Sequence, residues 1–240
     1  PSPMGAYAYE KAGIRKVSTL SGDFTPGHGF LGEFIKTFEK KGGQVIQEIY
    51  TPYPTQDFGP YLTSLKDVDA VVAWLDGEQA IKLLTQYHEF GIDKRMPIVG
   101  ATWGAFMAPY ILGALPTPVA DATIGYLLPT PYSPLLENSF NKKWVADFKA
   151  KFHFTPEDTS AGAYQGAMCI IEALKATGGD TSPEKLREAL LSVNFESPFG
   201  TVEFDPETQV RKMNMHISKI VKRENEYLWD PIYTYENVPP

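Results

Sequence analysis

The sequence predicts an α/β fold: a parallel-sheet lobe flanked by helices, followed by further helices that have too little strand of their own to pack on. Three observations carry this. Through the first half, short apolar runs alternate with amphipathic stretches, the rhythm of βα units. One run, Ala70-Val71-Val72-Ala73-Trp74, is apolar throughout, as a central strand buried on both faces requires. The second half then turns almost wholly helical, and its middle helix is apolar nearly all round, which calls for cover on several sides.

Taken in order, residues 15–20 read as the first strand, with no element before it, so the opening Pro1-Ser2-Pro3-Met4 reads as an excerpt with sequence upstream. The next helix sets Phe30, Leu31, Phe34, Ile35 and Phe38 at helical spacing, and Gly42-Gly43 stops it. Residues 45–50 form the second strand, with a helix over 57–65 for which Asp57 is the N-cap. Residues 69–75 form the third strand, and the helix over 78–90 behind it ends at Gly91. Strands four and five fall at 96–100 and 122–128, and the lobe ends near Pro131. Helices are expected over 138–152, 158–176 and 183–192, then strands over 200–204, 215–221 and 228–233. The domain reading is therefore one α/β lobe over 1–135, helices belonging elsewhere over 136–196, and strands over 197–240 that return to the lobe.

At 240 residues, 43% of them hydrophobic, the chain can bury a core without disulfides or metal. Its single cysteine, Cys169, lies in the apolar run Ala167-Met168-Cys169-Ile170-Ile171, so a buried thiol is expected. The formal charge of −7 comes from 22 basic and 29 acidic residues spread along the chain, which speaks against nucleic acid as a partner. No stretch approaches the roughly 20 apolar residues of a spanning helix. His28, His88, His153 and His216 are far apart, with no metal-ligand spacing. Neither phosphate-cradling glycine pattern is present, and Asp23 with His28 lacks a nucleophile elbow. The expectation is a protein that is not an enzyme and uses neither cofactor nor metal.

In an open parallel sheet, ligands bind beyond the carboxyl ends of the strands. The loops there are Gly22 to Gly29 after the first strand, Trp74-Leu75-Asp76-Gly77 after the third and Ala101-Thr102-Trp103-Gly104 after the fourth. They mix aromatics with a few polar groups, the composition of a small-molecule pocket. The candidate ligand-binding residues are Asp23, Phe24, Thr25, Trp74, Asp76, Thr102 and Trp103.

Gly13-Ile14-Arg15-Lys16-Val17 followed by Asp23-Phe24-Thr25-Pro26-Gly27-His28-Gly29-Phe30 resembles the opening of the second lobe in binding proteins of the branched-chain amino acid (Leu/Ile/Val) type. Thr55 to Leu62, Asp69-Ala70-Val71, Pro97-Ile98-Val99-Gly100 and the segment Pro198-Phe199-Gly200-Thr201-Val202-Glu203-Phe204-Asp205 follow that family's order. The resemblance implies the type 1 periplasmic binding protein fold with its first lobe absent, so that residues 136–196 are crossover helices belonging to that lobe. It implies an ABC importer's solute-binding component, with a small solute and the importer's membrane subunits as partners, and a periplasmic or extracytoplasmic location with a signal peptide upstream. The family's amino acid binders use a carboxylate after the fourth strand to pair with the solute's ammonium, and Thr102 stands there in this chain. A hydroxyl cannot neutralise a buried cation, whose isolation costs on the order of several kcal/mol. The family's first-loop tyrosine is replaced by Pro26. With Phe24, Trp74 and Trp103 as walls, an aromatic carboxylate is expected in place of an amino acid, while Asp76 leaves room for an amine. The other readings are a ligand-sensing domain of a receptor or regulator with the same fold, and an α/β enzyme.

Overall fold

A computed structural model describes residues 3–102 and 106–238. The first half contains α1 (Met4–Glu10), β1 (Lys16–Gly22), α2 (Thr25–Lys40), β2 (Gln44–Thr51), α3 (Gly59–Thr63), β3 (Ala70–Trp74) and α4 (Gly77–Glu89). Next come β4 (Ile98–Gly100), α5 (Pro109–Ala114), α6 (Thr117–Ala122), β5 (Leu127–Thr130), α7 (Ser139–Phe152), α8 (Asp158–Ala176) and α9 (Pro183–Leu191). The chain finishes with β6 (Phe195–Ser197), β7 (Gly200–Val202), β8 (Met213–Arg223) and β9 (Glu226–Val238). Two compact units result, one of Pro1–Thr130 with Ile217–Tyr233 and one of Pro131–His216 with Thr234–Pro240.

The first unit is organised by a seven-stranded sheet in the order β2-β1-β3-β4-β5-β8-β9. Its β1–β2, β1–β3, β3–β4 and β4–β5 pairs are parallel. Every residue of β3 is buried, as its unbroken apolar run requires of a strand covered on both faces. The edge strand β2 alternates in exposure over most of its length. Helix α2 buries Gly27, Leu31, Phe34 and Phe38 on one stripe. The Asp69 carboxylate accepts the backbone N–H groups of Arg15 (2.8 Å) and Lys16 (2.9 Å), fixing the entry of β3 beside that of β1. Those two hydrogen bonds hold its carboxyl below the ordinary carboxylate range.

In the second unit, Asn138 caps α7 by accepting the Asn141 N–H at 2.7 Å. Helix α8 buries Asp158, Ala161, Gln165, Cys169 and Ala173, a single stripe. Around Ala161 pack Tyr132 and Trp144, and around Cys169 and Ala173 pack Val193 and Val202. Burial pushes the Cys169 thiol up from its ordinary pKa. The remaining apolar surface of α8 is open: Ile170 is 55% and Ile171 43% exposed. The helix that asked for cover on several sides therefore has it on one.

The structure corrects several local readings. A helix, α1, precedes the first strand, and it lies so close to α2 that a Cβ on Gly5 would stand 2.4 Å from the Phe34 carbonyl oxygen. Helix α3 is short and Phe58 is its N-cap, while Asp57 bonds one residue further on, accepting the Gly59 N–H at 2.8 Å. The fifth strand starts at Leu127 because Pro118 opens a helical turn in α6 and Gly125, at φ 95°, ends the connection after it.

Candidate functional site

Strand order reverses between β1 and β3, because β1 runs on to β2 on one side while β3 flanks it on the other. The loops leaving those two strands diverge, and it is at such a reversal that open α/β sheets bind ligands. Register decides what meets there. Gly22 is paired with Thr51 and Ser21 with Trp74, so residues shortly beyond those pairs, Phe24, Tyr53 and Asp76, emerge side by side. The Asp23 N–H donates to the Thr51 carbonyl at 2.7 Å and the Ser21 hydroxyl to the Trp74 carbonyl at 2.7 Å, which laces the three strand ends together.

The result is an aromatic wall. The Phe24 ring stacks on Tyr53 with centroids 4.3 Å apart and 20° between planes, and it lies 5.9 Å from Trp74. Phe30, on the second turn of α2, backs Trp74 at 4.6 Å. Gly22 makes this packing feasible, since a Cβ there would stand 2.8 Å from the Phe24 ring and 2.9 Å from that of Tyr53. The Tyr53 hydroxyl donates to Asp76 Oδ1 at 2.6 Å. That hydrogen bond raises the Tyr53 pKa, and burial adds to it. Trp74 itself is 7% exposed, and its Nε1 is buried without a hydrogen-bond partner among the described residues.

Of the residues singled out from sequence, Phe24, Trp74 and Asp76 meet at this wall. Asp23 is exposed and bonded to His28 Nε2 at 2.7 Å; the His28 ring stacks on Tyr50 at 4.0 Å. Thr25 opens α2 and is exposed. Thr102 is buried just beyond β4 and makes no side-chain hydrogen bond among the described residues. Trp103 lies outside the described residues. Tyr53 was not singled out, because the loop after the second strand was passed over. Its signal was an aromatic between two prolines, Pro52-Tyr53-Pro54, directly after an apolar run.

The wall carries the Asp76 carboxylate, and Lys82, the lysine of α4, pairs with Glu78 at 2.6 Å. Among the described residues, no group of three or more His, Cys, Asp or Glu converges as a metal site would require, and no helix is long and apolar enough to cross a membrane.

Residues 1–225 match the family model described as "Periplasmic binding protein". The chain belongs to the periplasmic binding protein family, and its helix-flanked, mostly parallel sheet is that family's type 1 fold. It is 28% identical to the Leu/Ile/Val-binding protein homolog 6 of Brucella melitensis, in a match covering 98% of this chain and 60% of that protein. Among solved structures, it is similar to a solute binding protein of an ABC transporter from Rhodopseudomonas palustris BisB5, in complex with 3,4-dihydroxy benzoic acid. There the TM-score is 0.87 and the identity 32%, covering 98% of this chain and 64% of that one. A second R. palustris solute binding protein, in complex with 4-hydroxybenzoate, matches at TM-score 0.86 and 27% identity over 99% of this chain and 64% of the other. The chain thus spans under two thirds of the length of these relatives.

Proposed function

We propose that these residues are the larger part of the extracytoplasmic solute-binding component of an ABC importer, and that the solute is an aromatic carboxylate. The observation that carries this reading is the wall of Phe24, Tyr53 and Trp74 at the strand-order reversal. Flat rings offer a flat solute a large contact area with little conformational entropy to lose. Asp23, Thr25, Asp76, Thr102 and Trp103 complete the proposed binding set. Two of the structural relatives hold hydroxylated benzoic acids, which agrees with that chemistry. Among the described residues the wall offers a carboxylate no cation, so the solute's carboxyl group belongs on an opposing wall, supplied by a first lobe outside these residues. Residues 136–196 pack on that lobe, which supplies the missing cover for Ile170 and Ile171.

Transport follows from closure: the solute bridges both walls, favours the closed arrangement, and the importer's membrane subunits engage that shape. About micromolar affinity, roughly −8 kcal/mol, serves such a role. No catalytic step is involved.

Thermal-shift measurement on the full-length protein tests the reading. A rise in melting temperature is expected with benzoate or 4-hydroxybenzoate and none with leucine. A rise with leucine alone would overturn the choice of solute, and product formed from any bound solute would overturn the binding-only role.

A further inference from the structure

Among the described residues, the Trp74 indole N–H is a donor without an acceptor. Trp74 is 7% exposed, its Nε1 is sealed from solvent, and no described residue accepts from it. Its own carbonyl is satisfied by Ser21, so the vacancy is confined to the side chain. A buried donor left unpaired costs about 1–3 kcal/mol, and such a group in a native protein calls for an explanation. At this position the explanation lies in the surroundings. Trp74 ends β3 at the strand-order reversal, with the Phe24 ring 5.9 Å and the Phe30 ring 4.6 Å from it. Phe30 belongs to the body of α2, whereas Phe24 precedes the helix, is half-buried, and stacks on the exposed Tyr53. Phe24 is thus the neighbour able to move aside at small cost.

We propose that Trp74 determines specificity for oxygenated aromatic rings, donating its indole N–H to a ring hydroxyl of the solute once Phe24 has turned away. This deepens the solute assignment above and rests on it. A phenolic hydroxyl both accepts and donates. Trp74 Nε1 supplies the proton it accepts. Asp76, two residues further on, uses Oδ1 to hold Tyr53 and keeps its second carboxylate oxygen for the proton the hydroxyl gives. A methyl group of similar size at the same ring position answers neither, and its burial against Nε1 perpetuates the vacancy. The Phe24 ring stands where a solute ring would, stacked on Tyr53 and close to Trp74.

Titration calorimetry on the full-length protein, using 4-hydroxybenzoate and 4-methylbenzoate, tests this. The unsubstituted protein should prefer the hydroxyl compound by about tenfold, the factor that one net hydrogen bond supplies. Trp74→Phe should lose the preference, the two compounds then binding within about threefold of each other whatever the change in overall affinity. Equal affinities in the unsubstituted protein, or a preference that survives Trp74→Phe, would overturn the role of Trp74 and leave the aromatic reading standing. Binding of neither compound to the unsubstituted protein would overturn both. A second measurement needs no variant. In the 15N spectrum, the Trp74 indole N–H should move downfield with 4-hydroxybenzoate and not with 4-methylbenzoate, and an equal response to both would also overturn the proposal.

Discussion

The Tyr53 hydroxyl donates to Asp76 Oδ1 at 2.6 Å, a bond that ties the loop after β2 to the N-terminus of α4 across the end of β1. Asp76 has the extended backbone of an N-cap, yet its side chain makes no capping hydrogen bond, and its Oδ1 is committed to the tyrosine. This holds the Tyr53 ring at the angle on which Phe24 stacks, and on which a solute ring would stack in its place. Tyr53→Phe should therefore weaken binding of an aromatic acid by about fivefold, the equivalent of about 1 kcal/mol. Tyr53 is exposed and outside the core, so the melting temperature should hardly change. Calorimetry and a melting curve on the same preparation check both.

Gly22 at the end of β1 and Gly27 in the first turn of α2 should behave oppositely when changed to alanine. A Cβ on Gly27 would stand 2.3 Å from the Gly22 carbonyl oxygen, which is backbone and cannot swing away. Gly27→Ala should cost about 1–3 kcal/mol of stability. A Cβ on Gly22 would meet ring atoms of Phe24 and Tyr53, which can rotate. Gly22→Ala should thus leave stability nearly intact and disperse the aromatic wall, lowering affinity. Denaturant titration separates the first effect, and ligand titration the second.

How much of this was legible in the sequence depends on how local its cause is. The third strand and the helix over 158–176 were plain, because an unbroken apolar run and a long apolar helix are written residue by residue. The meeting of Phe24 with Trp74 required only the rule about strand ends. Tyr53 was missed because its place depends on the Gly22–Thr51 pairing, a register between distant segments that no spacing in the chain reports. Helix α1 was missed for a related reason, since its stability comes from close contact with α2 at Gly5. The fifth strand starts later than its apolar run suggests because Pro116 caps and Pro118 opens α6, which takes in Ala122 at the start of that run.

His216 gives the second unit an acid-sensitive point. It is 6% exposed, its Nδ1 lies 2.9 Å from the Thr234 hydroxyl, and burial holds its pKa below the ordinary imidazole value. The unfolded chain takes up this proton near pH 6.5, while the folded chain resists it until lower pH. The stability contributed by neutral His216 is thus complete above about pH 6.5 and lost as pH falls below that toward the depressed folded value. Denaturant midpoints at pH 7.5 and 5 should fall further for the unsubstituted protein than for His216→Gln, which has no charge to gain.

Ile170 tests the proposed cover of α8. At 55% exposure, Ile170→Lys should change the stability of the 240-residue chain by less than about 0.5 kcal/mol. In the full-length protein the same substitution should cost about 2 kcal/mol or more, since a lysine would replace a buried isoleucine. Equal, small effects in both would show that nothing covers this face.

The first unit takes residues from both ends of the sequence, since Ile217–Tyr233 adds β8 and β9 to a sheet whose other five strands are complete by Thr130. During synthesis, the backbone edge of β5 must therefore wait, unpaired, while 86 further residues, Pro131–His216, leave the ribosome. Such an open edge invites pairing with a neighbouring nascent chain. Premature termination before the final hairpin should consequently yield insoluble product, whereas supplying the hairpin early by circular permutation should relieve that hazard.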